Sequence, residues 1–396
     1  MTLPNPILFV DSAKGIGGAE MSLIELVTHL DRDKFRPYFL GSSGPLTEYF
    51  QKTGIPIYTA SFPFFSRRRP WIYMQAIWNL IQVIRKAEIS IIHVNCDRAV
   101  PHVVLAGSLT RVPVLCHIHD MTRAWFLPSY VNHLNRSNRI IADSKATARH
   151  CLAAGMSEGK LQVIYECFDS RNYMNIPVTE RQKLRQSWGA SEDRVIIGLV
   201  GQVLRHKGHE TFIRAAHQVV SQYKNVQFVI VGDDSLSAEP DFLLEMKDLI
   251  KQLELERHLL FTGFHSNIPL VMSALDIVAV PSWEEPFGRV VVEALASSCP
   301  IVASQSGGIP EIVEDGYTGF LVPPRDVEAL ANALLKLSQD TNLRKQMGMR
   351  APASARRFDV EPHARLFERT YEAILTGNLD TVPKVPFGEP LQMLLN

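Results

Sequence analysis

The sequence predicts an α/β protein made of two successive parallel sheets, each Rossmann-like. Three observations carry that expectation. Short β-branched apolar runs alternate with helical patterns along nearly the whole chain. A polar, charged interval at 178–194 separates a first series of seven runs from a second series of six. The length of 396 residues suits two domains of ordinary size.

In chain order the first series opens with ILFVDS (7–12), a glycine loop and a helix over Ala19 to Leu30. PYFLGSS and IPIYTAS follow, then an amphipathic helix near Trp71 to Lys86, then ISIIHVN, VPVLCHIHD, RIIADS and LQVIYECFD. The second series runs VIIGLVGQ, FVIVGDD, LLFTGF, IVAVPS, PIVASQ and GFLVPP, with helices such as Leu243 to Leu255 and Val327 to Ser338 between them. Beyond Asp359, Ala364, Phe367, Tyr371 and Ile374 recur at helical spacing, which predicts a terminal helix. The expected domains are 1–185 and 190–358, followed by a helix over 359–377 and a proline-bearing tail over 378–396.

Composition narrows the function. Lys and Arg number 41 and Asp and Glu number 41, so the formal charge is zero and nucleic acid is not the expected partner. With 46% apolar and 21% charged residues the chain can bury a large core. Five scattered cysteines without a CxxC pair suggest neither a disulfide frame nor a zinc site. No run approaches the ~18 apolar residues of a membrane span. The first cation, Lys14, follows the N-terminal apolar run, the wrong order for a secretory signal, so a cytoplasmic protein is expected.

Ligands of open α/β sheets bind beyond the carboxyl ends of strands, so polar residues just after an apolar run are the candidates. Gly17 and Gly18 follow the first run and open a helix, where amide hydrogens suit an anion; a plain tight βα turn explains them equally. Gln202, Arg205 and Lys207 follow VIIGLV, placing two cations where a diphosphate could be held; solvated surface charge is the alternative. The strongest block is PSWEEPFGRVVVE (281–293), with Glu285 in a loop before Gly288 and Glu293 inside an apolar helix, where a carboxylate needs a partner. A carboxylate pair for acid and base work is a second reading of these two residues. From the residues alone, His119 reads first as a core histidine hydrogen-bonded near His117 under the strand VPVLCHI. Residues 62–71 (FPFFSRRRPW) combine aromatics with three adjacent cations, which suits a membrane interface or an anionic lipid-linked acceptor as well as a solvated loop.

The block from Pro281 to Pro323 closely resembles the signature of glycosyltransferase family 4, retaining nucleotide-sugar transferases of the GT-B fold, and the resemblance extends nearly to Gly377. It implies two Rossmann-like domains facing a central cleft, with the terminal helix crossing back onto the first domain. It implies that Glu285 contacts the donor sugar, Glu293 the ribose hydroxyls, and Phe287 and Gly288 offer amides near sugar and phosphate. Lys207 matches the diphosphate-binding lysine, Gly17 and Gly18 the N-terminal glycine loop, and Gly263 and Phe264 lie where relatives pass the nucleobase. His119 and Asp120 match the acceptor-side loop, and Ser144 the serine turn after Asp143.

The implied reaction moves a sugar from a UDP- or GDP-sugar to a hydroxyl of a glycan or lipid-linked acceptor, in cell-surface polysaccharide assembly at the inner face of the membrane. Catalysis falls to Glu285, His119, Lys207 and Arg205. No metal or other cofactor is expected, since Asp233-Asp234 matches a turn of the family rather than a metal loop. Two departures stand out: Gln202 replaces an arginine of the pattern, and Glu166-Cys167-Phe168-Asp169 replaces Asn-Gly-hydrophobic-Asp. They leave open a catalytically silent partner subunit, or another GT-B enzyme such as an epimerase.

Overall fold

A computed structural model describes residues 3–13, 15–121, 127–191, 193–234, 239 and 241–379. The chain divides into two compact units, one running to Cys167 and resuming at Val360, the other spanning Phe168–Asp359.

The first unit holds seven parallel strands: β1 (Asn5–Asp11), β2 (Phe35–Gly41), β3 (Ile57–Thr59), β4 (Ile91–Val94), β5 (Val114–Ile118), β6 (Arg139–Ala142) and β7 (Leu161–Val163). Their spatial order is 3-2-1-4-5-6-7. β4, β5 and β6 are buried along their whole length, which is why they read as largely apolar runs, interrupted only by the buried His93, His117 and Arg139. The helix Val360–Thr376 belongs to this unit: Phe367 and Tyr371 enter the same core as Phe9, Phe35 and Phe39. Its polar side is held too, with Glu368 accepting from the Asp31 amide at 2.8 Å and Lys34 pairing with Glu372 at 2.9 Å.

The second unit has six parallel strands: β8 (Val195–Val200), β9 (Val226–Val231), β10 (Leu259–Gly263), β11 (Ile277–Val280), β12 (Ile301–Ser304) and β13 (Gly319–Val322). The order 10-9-8-11-12-13 repeats the 3-2-1-4-5-6 pattern of dinucleotide-binding sheets. Its core joins Ile197, Leu199, Phe228 and Ile230 to Phe212, Leu330 and Leu334 from the covering helices.

The units part at Cys167/Phe168, earlier than the 185–190 expected from sequence. The polar helix Val178–Ser187 is the reason. Its Arg185 is buried, donating to the Ala274 carbonyl and to Asp276, both in the second unit. Among the described residues no helix is long and apolar enough to cross a membrane.

Candidate functional site

In the second sheet the strand order reverses between β8 and β11, and the loops after these two strands carry the strongest sequence candidates. Lys207, ending the turn after β8, places Nζ 2.9 Å from both carboxylate oxygens of Glu285, from the loop after β11. Ser282 donates to Glu285 Oε2 at 2.8 Å. The backbones interlock as well: the Trp283 amide donates to the His206 carbonyl at 2.7 Å, and the Gly308 amide to the Glu285 carbonyl at 2.9 Å. Gly208 makes this approach possible. It sits at φ +77°, and a Cβ there would lie 2.1 Å from the Pro281 carbonyl oxygen.

Gly288 (φ +103°) turns the chain into the helix Arg289–Ala296 and supplies no side-chain cap to its N-terminus. Glu293, one turn further on, accepts from Arg289 Nε at 3.0 Å, so the carboxylate inside the apolar helix has the partner its burial demands. Phe287 is buried edge-on against Phe358. Gly263 ends β10 at φ +75°, and Phe264 beside it stands exposed. Gln202 lies in the loop after β8, partly exposed.

Arg205 does not join this group. Its guanidinium pairs with Glu239 and Glu245 at 2.8 and 2.7 Å and lies over the Phe242 ring, so it does not stand in for the arginine that Gln202 replaces. Sequence reasoning also passed over Ser282 and Trp283. Ser282 fixes the Glu285 carboxylate, and Trp283 ties the two loops while its ring lies under Arg325.

In the first sheet five neighbouring strands each deliver a polar group at the carboxyl end: Asp11 (β1), Asn95 (after β4), His119 (after β5), Asp143 (after β6) and Glu166 (after β7). Asn95 donates its amide to Asp11 at 2.8 Å, which leaves its carbonyl oxygen to accept from His119 Nε2 at 2.9 Å. His119 Nδ1 faces Glu166 at 3.3 Å. Both ring nitrogens therefore meet acceptors, the pattern of an imidazolium. Burial alone lowers the His119 pKa; the hydrogen bond and charge of Glu166, with Asp143 and Glu20, outweigh it and the net shift is upward. The flanking His93 and His117 are driven the other way by burial and by the His119 charge.

Burial, with the charge of Glu166, pushes Asp143 up to about 8, and burial with the charge of Asp11 pushes Glu20 up to about 7. Glu20 accepts from the Gly17 amide at 2.7 Å, closing the turn that opens the helix Gly18–His29. Ser144 caps the helix Lys145–Ala153, accepting from the Thr147 amide at 3.0 Å. Asp120 follows His119, partly buried. Among the described residues His119, Asp143 and Glu166 are the group whose donor atoms lie close enough, within 4.8 Å, to hold a metal ion. Both nitrogens of the His119 ring are engaged, Nε2 by Asn95 and Nδ1 by Glu166.

Two family descriptions match the chain: Glycosyltransferase Family 4 over residues 16–171 and Glycosyl transferases group 1 over residues 180–354. N-acetyl-alpha-D-glucosaminyl L-malate synthase of Bacillus anthracis is 26% identical over 309 residues, 75% of this chain and 78% of that protein. A D-inositol 3-phosphate glycosyltransferase of Corynebacterium jeikeium is 35% identical over 199 residues, 50% of this chain and 47% of that protein. Among solved structures, Anabaena Alr3699/HepE in complex with UDP and glucose is similar at 29% identity and a TM-score of 0.83, covering 93% of this chain and 99% of that one.

Proposed function

We propose that this chain, which belongs to glycosyltransferase family 4 and has the GT-B fold, transfers a sugar from a UDP- or GDP-sugar to a hydroxyl with retention at the anomeric carbon. The observation that carries the reading is the Lys207–Glu285 pair at the point where the second sheet reverses its strand order. The similarity to a protein solved with UDP and glucose supports a nucleotide-sugar donor.

The leaving group is a nucleoside diphosphate, so the barrier falls mainly by positioning it and offsetting its growing negative charge. Lys207 exchanges its carboxylate partner for a phosphate oxygen when the donor binds, and the amides opening the helix at Arg289 add further donors. Glu285, released from Lys207 and still held by Ser282, accepts from a hydroxyl of the sugar. Glu293 accepts from the ribose, Phe287 and Gly288 present backbone amides, and Gly263 and Phe264 border the base. On this reading the charge is met without a metal.

In the first unit Gly17 and Gly18 open the helix Gly18–His29, where amide hydrogens suit an anionic group. His119 is held in place by Asn95 and Glu166 at the acceptor side and acts by positioning rather than as a base, because both of its ring nitrogens are engaged by protein groups. The acceptor is a hydroxyl of a glycan or of a lipid-linked saccharide.

The test is a panel of UDP-, GDP- and ADP-sugars with purified protein, scored for release of nucleoside diphosphate. One donor class is turned over, and Lys207→Ala slows it by about 10²- to 10³-fold, the scale of losing one preorganised charge-stabilising donor. Turnover of none of them, or an unaffected Lys207→Ala, removes the reading.

A further inference from the structure

The helix Pro70–Lys86 has two apolar faces, and one of them is largely exposed among the described residues. Ile77, Leu80, Ile81 and Ile84 point inward and are buried. On the other side Trp71, Met74 and Trp78 follow one another at i, i+3 and i+7, the spacing of a single helical stripe. With Ile72 and with Phe64 and Phe65 from the preceding loop, these side chains are between 42% and 67% exposed. The aromatic loop is not slack: the Arg98 guanidinium lies 4.6 Å over the Phe64 ring, and Phe65 packs edge-on to Tyr73. Phe62, by contrast, is buried, so only part of the aromatic segment faces out.

Charge adds an independent observation. Positions 49–87 hold six cations (Lys52, Arg67, Arg68, Arg69, Arg85, Lys86) and no Asp or Glu, in a chain whose total charge is zero. Three of the cations, Arg67 to Arg69, run directly into the N-terminus of the helix, whose first turn contains no acidic residue. A helix N-terminus already carries partial positive charge, so this placement is locally unfavourable and calls for an anion from outside. Among the described residues none of the three arginines has an ion-pair partner.

We infer that this face docks the protein on an anionic lipid bilayer, with Trp71, Met74 and Trp78 at the headgroup level and Arg67 to Arg69 against lipid phosphates. Tryptophan with its apolar body and polar tip suits that depth, and an aromatic stripe rimmed by arginines is the composition of an in-plane membrane contact. The inference goes beyond sugar transfer and does not depend on it.

Flotation of the full chain with vesicles tests it without any activity measurement. At low salt the protein should float with phosphatidylcholine vesicles that contain phosphatidylglycerol, and stay behind with phosphatidylcholine alone. Added salt should release it. Replacing Arg67, Arg68 and Arg69 together by Ser should weaken partitioning on the order of a hundredfold. Trp71→Ser with Trp78→Ser should weaken it and abolish a blue shift of tryptophan emission seen with the anionic vesicles. All these residues are exposed, so matching thermal melts will show that the variants are folded. Failure to float with anionic vesicles, or variants that float like wild type, overturns the inference. So does a wild-type dimer that the tryptophan variants convert to monomer, because the face is then a contact between copies of the chain.

Discussion

Lys207 and Glu285 illustrate what a residue's position decides and what its environment decides. Each follows an apolar run at a sheet's carboxyl end, so their candidacy was readable in sequence; that they hold each other at 2.9 Å was not. The pairing makes a specific prediction. A diphosphate must compete with Glu285 for the ammonium, so Glu285→Gln should bind free nucleoside diphosphate as well as or better than wild type while sugar transfer falls at least tenfold. Calorimetry beside a transfer assay reads both, and loss of diphosphate binding in Glu285→Gln would refute the assignment. Arg205 shows the opposite case. Its neighbours in sequence suggest a phosphate ligand, but Glu239 and Glu245, 34 and 40 positions away, set its direction, and no local pattern reveals them.

The buried polar row of the first unit gives a pH prediction at the same scale. His119 has a folded pKa above its ordinary value, so its stabilisation is complete below about 6.5 and is lost as pH rises through the folded pKa. Asp143 and Glu20, raised to about 8 and about 7, also keep protons in the folded chain that the unfolded chain releases near 4. Below about pH 6.5 the buried neutral His93 and His117 oppose this trend, because the unfolded chain protonates them; above it all three groups bind more protons when folded, so stability should fall as pH rises from about 6.5 to about 8. Urea midpoints followed by first-unit signals should be higher at about pH 6.5 than at about pH 9, and Asp143→Asn should narrow the gap. A midpoint that rises over this interval contradicts the assignment. Glu166 stood out in the sequence only as a departure from a family pattern; its contact with His119 gives the departure a physical role.

Among elements, the thirteen strands of the described residues were legible because most of them are buried parallel strands that read as nearly continuous apolar runs, the edge strands β3 and β10 being less buried. The helix Thr341–Ala355 was not expected. Its buried side is built from Met347 and the small residues Gly348, Ala351 and Ala355, which leave no apolar stripe to read. A Cβ at Gly348 would lie 2.5 Å from the Ser298 carbonyl, so the small residue is required by close packing that sequence periodicity does not show. The loop after β8 yields the prediction at this scale. Gly208→Ala adds a methyl where Pro281 already stands and forces a left-handed backbone on a residue with a side chain. It should cost at least about 1–2 kcal/mol and displace Lys207, so donor turnover falls even at temperatures where the protein stays folded. Unchanged melting and turnover would show that the loops are less tightly joined than described.

For the molecule as a whole, the helix Val360–Thr376 returns to the unit that holds β1 to β7, and that return was legible in the helical spacing and the family resemblance together. The exact divide was not, because Val178–Ser187 is polar by composition yet anchored by the buried Arg185. Cutting the chain after Asp359 should leave the second unit, which has its own core, with a cooperative transition, while the first unit, deprived of Phe367 and Tyr371, loses its own. Two persisting transitions in the shortened chain would contradict this division of the core.

The central claim is that Lys207 meets the diphosphate of the donor. Its most direct test is calorimetric titration of wild type and Lys207→Ala with a nucleoside diphosphate and with the matching monophosphate. Losing one charge-assisted hydrogen bond should weaken the diphosphate by at least about tenfold and leave the monophosphate nearly unchanged. Equal diphosphate affinity in the two proteins would contradict the account.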